Sequence, residues 1–434
     1  MKPGVAARAL AARILAAVLD GRSLKAELAA RLGTLPDPRD RAFVEALCFE
    51  ALRRRRRYDF ALSRWMARPL ARSDAEVHAL LLVGLTQLDA LQLAAHGAIG
   101  ATAEAARALD RPRHVGLVNA LLRRATREPL PHNDDPAVAS SHPDWLVAAL
   151  RADWPEDWRA ILDANLQPAP AWLRVNTRVQ SRTAYVGRLA EAGIEHALPE
   201  APAEAVVLAG SIAPQRLPGW EAGAVSLQDG AAQLVADALA PRAGERVLDA
   251  CAAPGGKAAH LLERADIALT ALDVDPQRLL RIGETLERLG LAGRADLRAA
   301  DAAEPATWWD GVPFDVVLLD APCSGTGVVR RQPDILAHRR QGDIEALAGA
   351  QARLLDALWP TLRPGGRLLY STCSILRREN ARQVEAFLGR TPDARALPLD
   401  DRFGRIDGRG RQRLPGVDGM DGFFYALLEK GGRE

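Results

Sequence analysis

The sequence predicts three regions in series: an all-α N-terminal bundle, a small α+β stretch, and an α/β domain built on a parallel sheet. Two periodicities carry that prediction. Over residues 1–130, Ala, Leu and Arg dominate and apolar residues recur three and four apart, as in Phe43, Leu47, Leu52 and in Leu80, Leu81, Leu85, Leu88, Leu91. From about residue 220, short β-rich runs alternate with helical segments, the pattern of parallel strands joined by crossover helices covering both faces. A third observation concerns chemistry: several of the strand-like runs end in aspartate.

Taken in order, the first 24 residues contain apolar Leu10, Ile14, Leu15, Val18 and Leu19 on one helical side. Arg8, Arg13, Asp20 and Arg22 interrupt any unbroken apolar core, so an amphipathic helix is expected rather than an export signal. Breakers at Leu35-Pro36-Asp37-Pro38, Arg68-Pro69 and Arg111-Pro112 divide residues 1–130 into roughly six short helices. Residues 131–142, within the Pro- and Asp-rich stretch that begins at Pro129, are expected to be a linker. Residues 143–220 then give a strand at Trp172–Val175, a helix at Ser181–Ala192 and a strand at Ala205–Leu208, a small βαβ-type module facing RNA. Residues 221–434 form the α/β domain. Its expected strands are Val247–Asp249, Ala268–Asp273, Asp296–Ala300, Asp315–Asp320, Arg367–Tyr370 and Gly422–Leu428. Helices are expected at Pro276–Leu289 and Ile344–Trp359.

The 434 residues are 48% hydrophobic and 26% charged, a globular composition, and no apolar run approaches the ~20 residues of a membrane span. Four cysteines, Cys48, Cys251, Cys323 and Cys373, are too few for a disulfide framework, and none has zinc spacing. No metal is expected, and the expected compartment is the reducing cytoplasm. Net charge is +2 but uneven: residues 1–130 hold 22 basic against 13 acidic residues, and the remainder 35 against 42. A basic module joined to an acidic one suits a polyanionic partner, and equally an arginine-decorated helix surface.

The segment Asp249-Ala250-Cys251-Ala252-Ala253-Pro254-Gly255-Gly256-Lys257 follows a strand and opens a helix. Small residues there let a ligand approach the backbone at the carboxyl edge of the sheet. Asp273, 18 residues after Gly255, stands where a carboxylate grips the ribose hydroxyls of a nucleoside cofactor. Both GxGxxG and GxxxxGK[ST] are absent, since Ala258 follows Lys257. Asp301, within reach of an adenine amino group, and Asp320, toward the reaction centre, add further acids. A series of carboxylates suits a cationic sulfonium better than a phosphate, although strand-end acids also cap helices.

Cys323 follows one strand in Asp320-Ala321-Pro322-Cys323, and Cys373 follows the next in Ser371-Thr372-Cys373-Ser374. In a parallel sheet both loops lie at one edge. A cysteine thiolate adding to carbon 6 of cytosine makes carbon 5 nucleophilic enough to accept a methyl group, and a thiol pKa near 8.5 makes the thiolate accessible. Cys373 precedes a helix expected near Arg378–Leu388, whose amides would assist. Cys323 is placed to help release the product, and Asp320 to hold the cytosine N3 and amine.

DACAAPGGK, LDAPCSGTGVVRRQPDI and STCSI resemble the three signature motifs of the Nol1/Nop2/Sun family of RNA cytosine-5 methyltransferases. The helical N-terminus and the tail Asp421-Gly422-Phe423-Phe424-Tyr425 extend the resemblance to its bacterial Sun/RsmB branch. The resemblance implies a NusB-like RNA-binding bundle and a Rossmann-like class I methyltransferase domain. It implies that Cys373 is the nucleophile and Cys323 assists release. S-adenosylmethionine would be held by Cys251, Ala252, Ala253, Pro254, Gly255, Gly256, Lys257, Asp273, Asp301 and Asp320. The implied target is one cytosine, position 967 of 16S ribosomal RNA, taken single-stranded or flipped, naked or in an early small-subunit intermediate, by a monomer. RNA contacts are expected from Arg330 and Arg331 beyond the Pro-Cys loop, and from Arg53, Arg54 and Arg57 of a five-arginine run. Three alternatives stay open: a tRNA cytosine-5 methyltransferase, a non-catalytic NusB-like RNA-binding factor, and another α/β nucleotide enzyme such as a dehydrogenase.

Overall fold

The computed structural model describes residues 4–432 in two compact units. The first runs to Gln167 and also includes Val329–Arg340; the second holds Pro168–Val328 and the chain from Gln341 onward.

The first unit is helical: α1 (Val5–Leu19), α2 (Leu24–Arg31), α3 (Pro38–Arg53), α4 (Arg55–Trp65), α5 (Ala75–Asp89), α6 (Ala95–Ala108), α7 (Val115–Arg127), α8 (Pro136–Ala139), α9 (Asp144–Asp153) and α10 (Trp158–Asn165). The breakers act as caps. Asp37 accepts a hydrogen bond from the Arg39 amide, and Pro38 takes the first helical position, where a missing N–H costs nothing. Helix α5 is apolar nearly all round, from Val77 to Leu85, and sits inside the bundle against α1, α3, α6 and α7. Its buried Gln87 is satisfied, accepting from Arg8 at 2.8 Å and donating to Thr102 at 2.9 Å. Cys48 on α3 is fully buried beside Ala11, and burial pushes its thiol pKa up, so it is a core residue.

The stretch expected as a linker contains α8, and α9 and α10 fold with the helical unit. Their apolar faces, Leu146, Val147, Leu150, Ile161 and Leu162, are buried. Segment Val329–Arg340, with α15 (Ile335–His338), also belongs to this unit. Asp334 accepts from the Leu24 amide at 3.1 Å, and the His338 ring meets the Val18 carbonyl at 2.8 Å.

The second unit holds two sheets. The smaller comprises β1 (Ala171–Val175), β2 (His196–Ala197), β3 (Ala205–Leu208) and β4 (Val225–Leu227) in the order β2-β3-β1-β4, all antiparallel, with α11 (Arg182–Glu191) packed on it through Tyr185 and Leu189. Strands β2 and β4 are too short to show alternation, so the sequence reveals only β1, α11 and β3. The sheet extends past residue 220 because β4 pairs with β1.

The larger sheet begins after α12 (Gly230–Leu239). It contains β5 (Arg246–Asp249), α13 (Gly256–Arg264), β6 (Ala268–Asp273), α14 (Pro276–Arg288), β7 (Ala295–Ala299), β8 (Phe314–Asp320), α16 (Gln341–Leu358), β9 (Leu362–Thr372) and α17 (Ala381–Arg390). The C-terminal strands are β10 (Ala394–Leu397), β11 (Arg405–Asp407), β12 (Gly410–Arg413) and β13 (Phe423–Lys430). Strands β9, β8, β5, β6 and β7 are parallel, and both faces are apolar: Val247, Leu269 and Leu318 on one side, Leu248, Val317 and Leu368 on the other. The antiparallel strand β13 then flanks β9, with β10, β11 and β12 beyond, so the sheet is mixed rather than wholly parallel. Arg174 of β1, fully buried, ties the two sheets together: it grips Glu263 of α13 at 2.8 and 2.9 Å and donates to the Gly256 carbonyl at 2.7 Å.

Candidate active site

Parallel strands β5, β6, β8 and β9 deliver Asp249, Asp273, Asp320 and Thr372 to one carboxyl edge. Asp320 sits opposite Ser371 in the β8–β9 ladder, so the loops bearing Cys323 and Cys373 leave side by side. A cavity of about 370 Å³ opens there, lined among others by Asp273, Val274, Asp301, Asp320, Cys323 and Cys373.

The small-residue loop after β5 folds back on the sheet: Ala250 N–H donates to Leu318, and Ala252 N–H to Leu272. Gly255 adopts φ +98° to open α13, a conformation that suits glycine. Asp273 is 3% exposed; it accepts from the Ala253 and Asp275 amides and pairs with Arg278 at 3.5 Å. Asp301 is exposed and accepts from the Ala303 amide at 2.9 Å. Asp249 is wholly buried, and neither carboxyl oxygen has a hydrogen-bond partner. Burial raises its pKa to about 7, against the pull of the Lys257 charge. Cys251 lies in the same acidic surroundings; burial first, then Asp249, Asp320 and Asp273, push its thiol up and keep it neutral.

Lys257, the last residue of the small-residue loop, meets a strand-end acid. Its ammonium donates to Asp320 at 2.5 Å and lies 5.5 Å over the Phe423 ring. Burial works against the ammonium, yet Asp320, Cys373 and Asp249 outweigh it and raise its pKa. A fixed cation thus interacts electrostatically with Cys373 as well as with Asp320 and Asp249. Asp320 is held from both sides, accepting from Ser371 Oγ at 2.9 Å as well.

Cys323 Sγ lies 3.4 Å from Cys373 Sγ. That hydrogen bond, followed by burial and by the charges of Cys373 and Glu379, pushes the Cys323 thiol far above its ordinary pKa. The two sulfurs are within hydrogen-bonding reach, and the Cys323 thiol holds its proton more firmly than a free thiol. The helix expected to assist Cys373 begins only at Ala381. The intervening turns, Ser374–Asn380, replace helix amides with a buried polar network instead. Gly327 allows the two loops to touch: its N–H donates to the Cys373 carbonyl at 2.8 Å, and a Cβ there would come 2.7 Å from that same oxygen.

That network was invisible to motif reading. Glu379 and Asn380 are 0% exposed and bind Ser324, Ser374 and Thr372. The only sequence signal was a Glu-Asn pair placed just before an amphipathic helix.

The arginines divide. Arg53 corrects its expectation: it is 5% exposed, and its guanidinium binds Glu50 and the Arg330 carbonyl, the latter at 2.6 Å. Arg54 is paired with Glu50, and Arg330 is itself buried. Arg57 keeps 42% of its side-chain exposure, 3.6 Å from Asp89, and Arg331 is half-buried.

Three family models match the chain in series. The NusB family matches residues 5–127, a ferredoxin-like domain of RsmF/B-like methyltransferases matches 142–214, and the 16S rRNA methyltransferase RsmB/F family matches 236–429. The chain is 59% identical over 429 residues to "Ribosomal RNA small subunit methyltransferase B" of Xanthomonas campestris pv. campestris, with 98% of each chain covered. It is 50% identical over 430 residues to the protein of that name from Pseudomonas putida, again with 98% of each covered. Among solved structures, a methyltransferase homolog from Pyrococcus horikoshii matches at 31% identity and TM-score 0.60, over 68% of this chain and 98% of that one. The protein PH0851 shares the fold at TM-score 0.85 and 23% identity, over 99% of each.

Proposed function

The chain belongs to the RsmB/F family of 16S rRNA methyltransferases and is an S-adenosylmethionine-dependent rRNA methyltransferase; from that premise we propose that it methylates carbon 5 of a single cytosine, position 967 of 16S rRNA, through a covalent adduct on Cys373. The observation that carries this reading is the 3.4 Å approach of Cys323 to Cys373, beside the Lys257–Asp320 pair.

The donor set fits the cofactor. A wholly buried carboxyl without a partner, Asp249, lies beneath the loop, and Asp273 stands at the next strand end. The Cys251–Lys257 loop with Asp273 and Asp301 would hold S-adenosylmethionine, which supplies an electrophilic methyl group on a sulfonium. Lys257 keeps a positive charge against Asp320, and Cys373, as a thiolate, adds to carbon 6 of the base. Asp320, oriented by Lys257 and Ser371, accepts hydrogen bonds from the cytosine amine and protonated N3, so charge developing on the ring meets a fixed carboxylate. When solvent water later takes the proton from carbon 5, the C5–H electron pair restores the C5–C6 double bond and the C6–S bond breaks. The Cys373 sulfur departs as a thiolate toward the Cys323 S–H, which donates a hydrogen bond to it.

The ring carbons must leave the base stack to reach this edge. Arg57 and Arg331 keep exposure for phosphate contacts, whereas Arg53 and Arg330 serve the helical unit. The substrate is read as 16S rRNA, naked or in an early subunit intermediate. The test is bisulfite sequencing of total RNA from a strain lacking the gene. One unprotected cytosine at position 967 is expected. A lost methyl group in tRNA would move the assignment to the tRNA enzymes, and an unchanged profile would end the C5 reading.

A further inference from the structure

Each cysteine of the pair is followed by a serine, and both serines end on one carboxyl group. Glu379 Oε1 accepts from the Ser324 amide at 2.8 Å and from Gln351 Nε2 at 3.2 Å. Its Oε2 accepts from Ser324 Oγ at 2.5 Å and from Ser374 Oγ at 2.6 Å. The group is 0% exposed. Four donors from three chain segments thus converge on a side chain that lies outside the cavity lining. Burying such a group costs free energy unless every lone-pair direction is used, so this geometry is tightly specified.

The two loops depend on it unequally. The Cys373 loop has its own ties: Thr372 Oγ1 donates to Asn380 at 2.6 Å, Asn380 donates to the Ser374 carbonyl at 2.9 Å, and Gln412 donates to the same carbonyl at 3.2 Å. The Cys323 loop is tied on either side of the cysteine, by Gln351 Nε2 to the Pro322 carbonyl at 3.0 Å and by Gly327 N–H to the Cys373 carbonyl at 2.8 Å. Ser324, directly after Cys323, nevertheless places both its amide and its hydroxyl on Glu379. Glu379 thus takes two donors from the residue after Cys323 and one from the residue after Cys373, so its loss frees Cys323 more than Cys373.

We propose that Glu379 is a positioning residue for product release, fastening the loop of Cys323 so that its thiol stands against the Cys373 sulfur. The inference rests on the roles proposed above for the two cysteines. It separates Glu379 from a general structural residue, because a general defect would weaken adduct formation, cofactor binding and release together.

The full-length chain, S-adenosylmethionine and a transcribed 16S rRNA fragment containing position 967 provide the test. In Glu379→Gln, the first turnover of methyl transfer is expected within about threefold of the parent and both KM values within about twofold, while steady-state turnover falls about 30-fold. RNA should remain covalently attached under denaturing conditions, as in Cys323→Ala run alongside. Normal turnover in Glu379→Gln, or loss of the first turnover without adduct, would overturn the proposal. If Cys323→Ala also turns over normally, the release role of Cys323 falls with it; if Cys323→Ala traps RNA and Glu379→Gln does not, only the role of Glu379 falls. Should Glu379→Gln fail to fold, Ser324→Ala decides: it removes one donor, and weaker trapping in the same direction is expected, with unchanged turnover counting against the idea.

Discussion

The Arg53–Arg57 run and the β8–β9 loop edge are the two most conspicuous charged or reactive regions in this chain, and the fold uses them in opposite ways. In the helical unit every arginine of the run meets an acid: Arg53 and Arg54 meet Glu50, Arg55 meets Asp59, Arg56 meets Asp144 and Arg57 meets Asp89. The run spans the junction of α3 and α4, and acids of nearby turns, Glu50 and Asp59, and of distant segments, Asp144 and Asp89, pair with it. At the sheet edge the reverse holds. Asp249 has no hydrogen-bond partner, and Cys323 is held protonated beside a second thiol. Conspicuous charge marks internal pairing in one unit, and unresolved polarity marks chemistry in the other.

The largest effect that tests this contrast is at Cys373. Cys373→Ala should lower methyl transfer from labelled cofactor by at least about 10³-fold, the scale on which removal of a covalent nucleophile acts. Cofactor binding, followed by calorimetry, should persist. Activity near that of the parent would remove the reactive character assigned to this edge.

The next is at Arg53. Arg53→Met should destabilise the protein by about 1–3 kcal/mol in urea melts, because Glu50 and the Arg330 carbonyl lose a buried donor. It should leave the salt dependence of RNA binding unchanged, whereas Arg57→Ala should reduce the logarithmic slope by about 0.7–0.9. A slope change at Arg53 would erase the contrast between the two regions.

The smallest concerns pH. The folded chain holds the Asp249 carboxyl at a pKa of about 7, whereas a free aspartate lies near 3.9. Between those values the folded state keeps a proton that the unfolded state has released, so stability falls as pH rises through that window. Asp249→Asn should therefore narrow the difference in melting temperature between pH 5 and pH 8 in the cofactor-free protein. An equal pH response in both proteins would place the buried charge elsewhere.

Much of the site was legible because its residues sit in short, locally determined segments. A buried strand, a turn and a helix start can be read within ten residues, so Asp249–Lys257, Asp320–Cys323 and Thr372-Cys373 stood out. The parallel sheet edge then followed from topology alone. The pairing of Lys257 with Asp320 was not legible because the two residues lie 63 positions apart. Glu379 escaped notice because a glutamate ahead of an amphipathic helix has the same local pattern whether it caps a surface turn or is buried. Strands β2 and β4 were missed because two or three residues carry no period. The mixed character of the sheet was missed because strand direction leaves no trace in composition.

The sequence by itself determined the succession of helical, α+β and α/β regions, the strand-end acids and the pair of cysteines at neighbouring strand ends. Each depends on periodicity or on turn chemistry acting over a few residues. Only the tertiary structure decided that Arg53 faces inward, that Lys257 guards Asp320, and that Glu379 binds the serines after both cysteines. Those outcomes depend on which distant segments share a low-dielectric interior, where an unpartnered polar group is costly and each donor must find an acceptor.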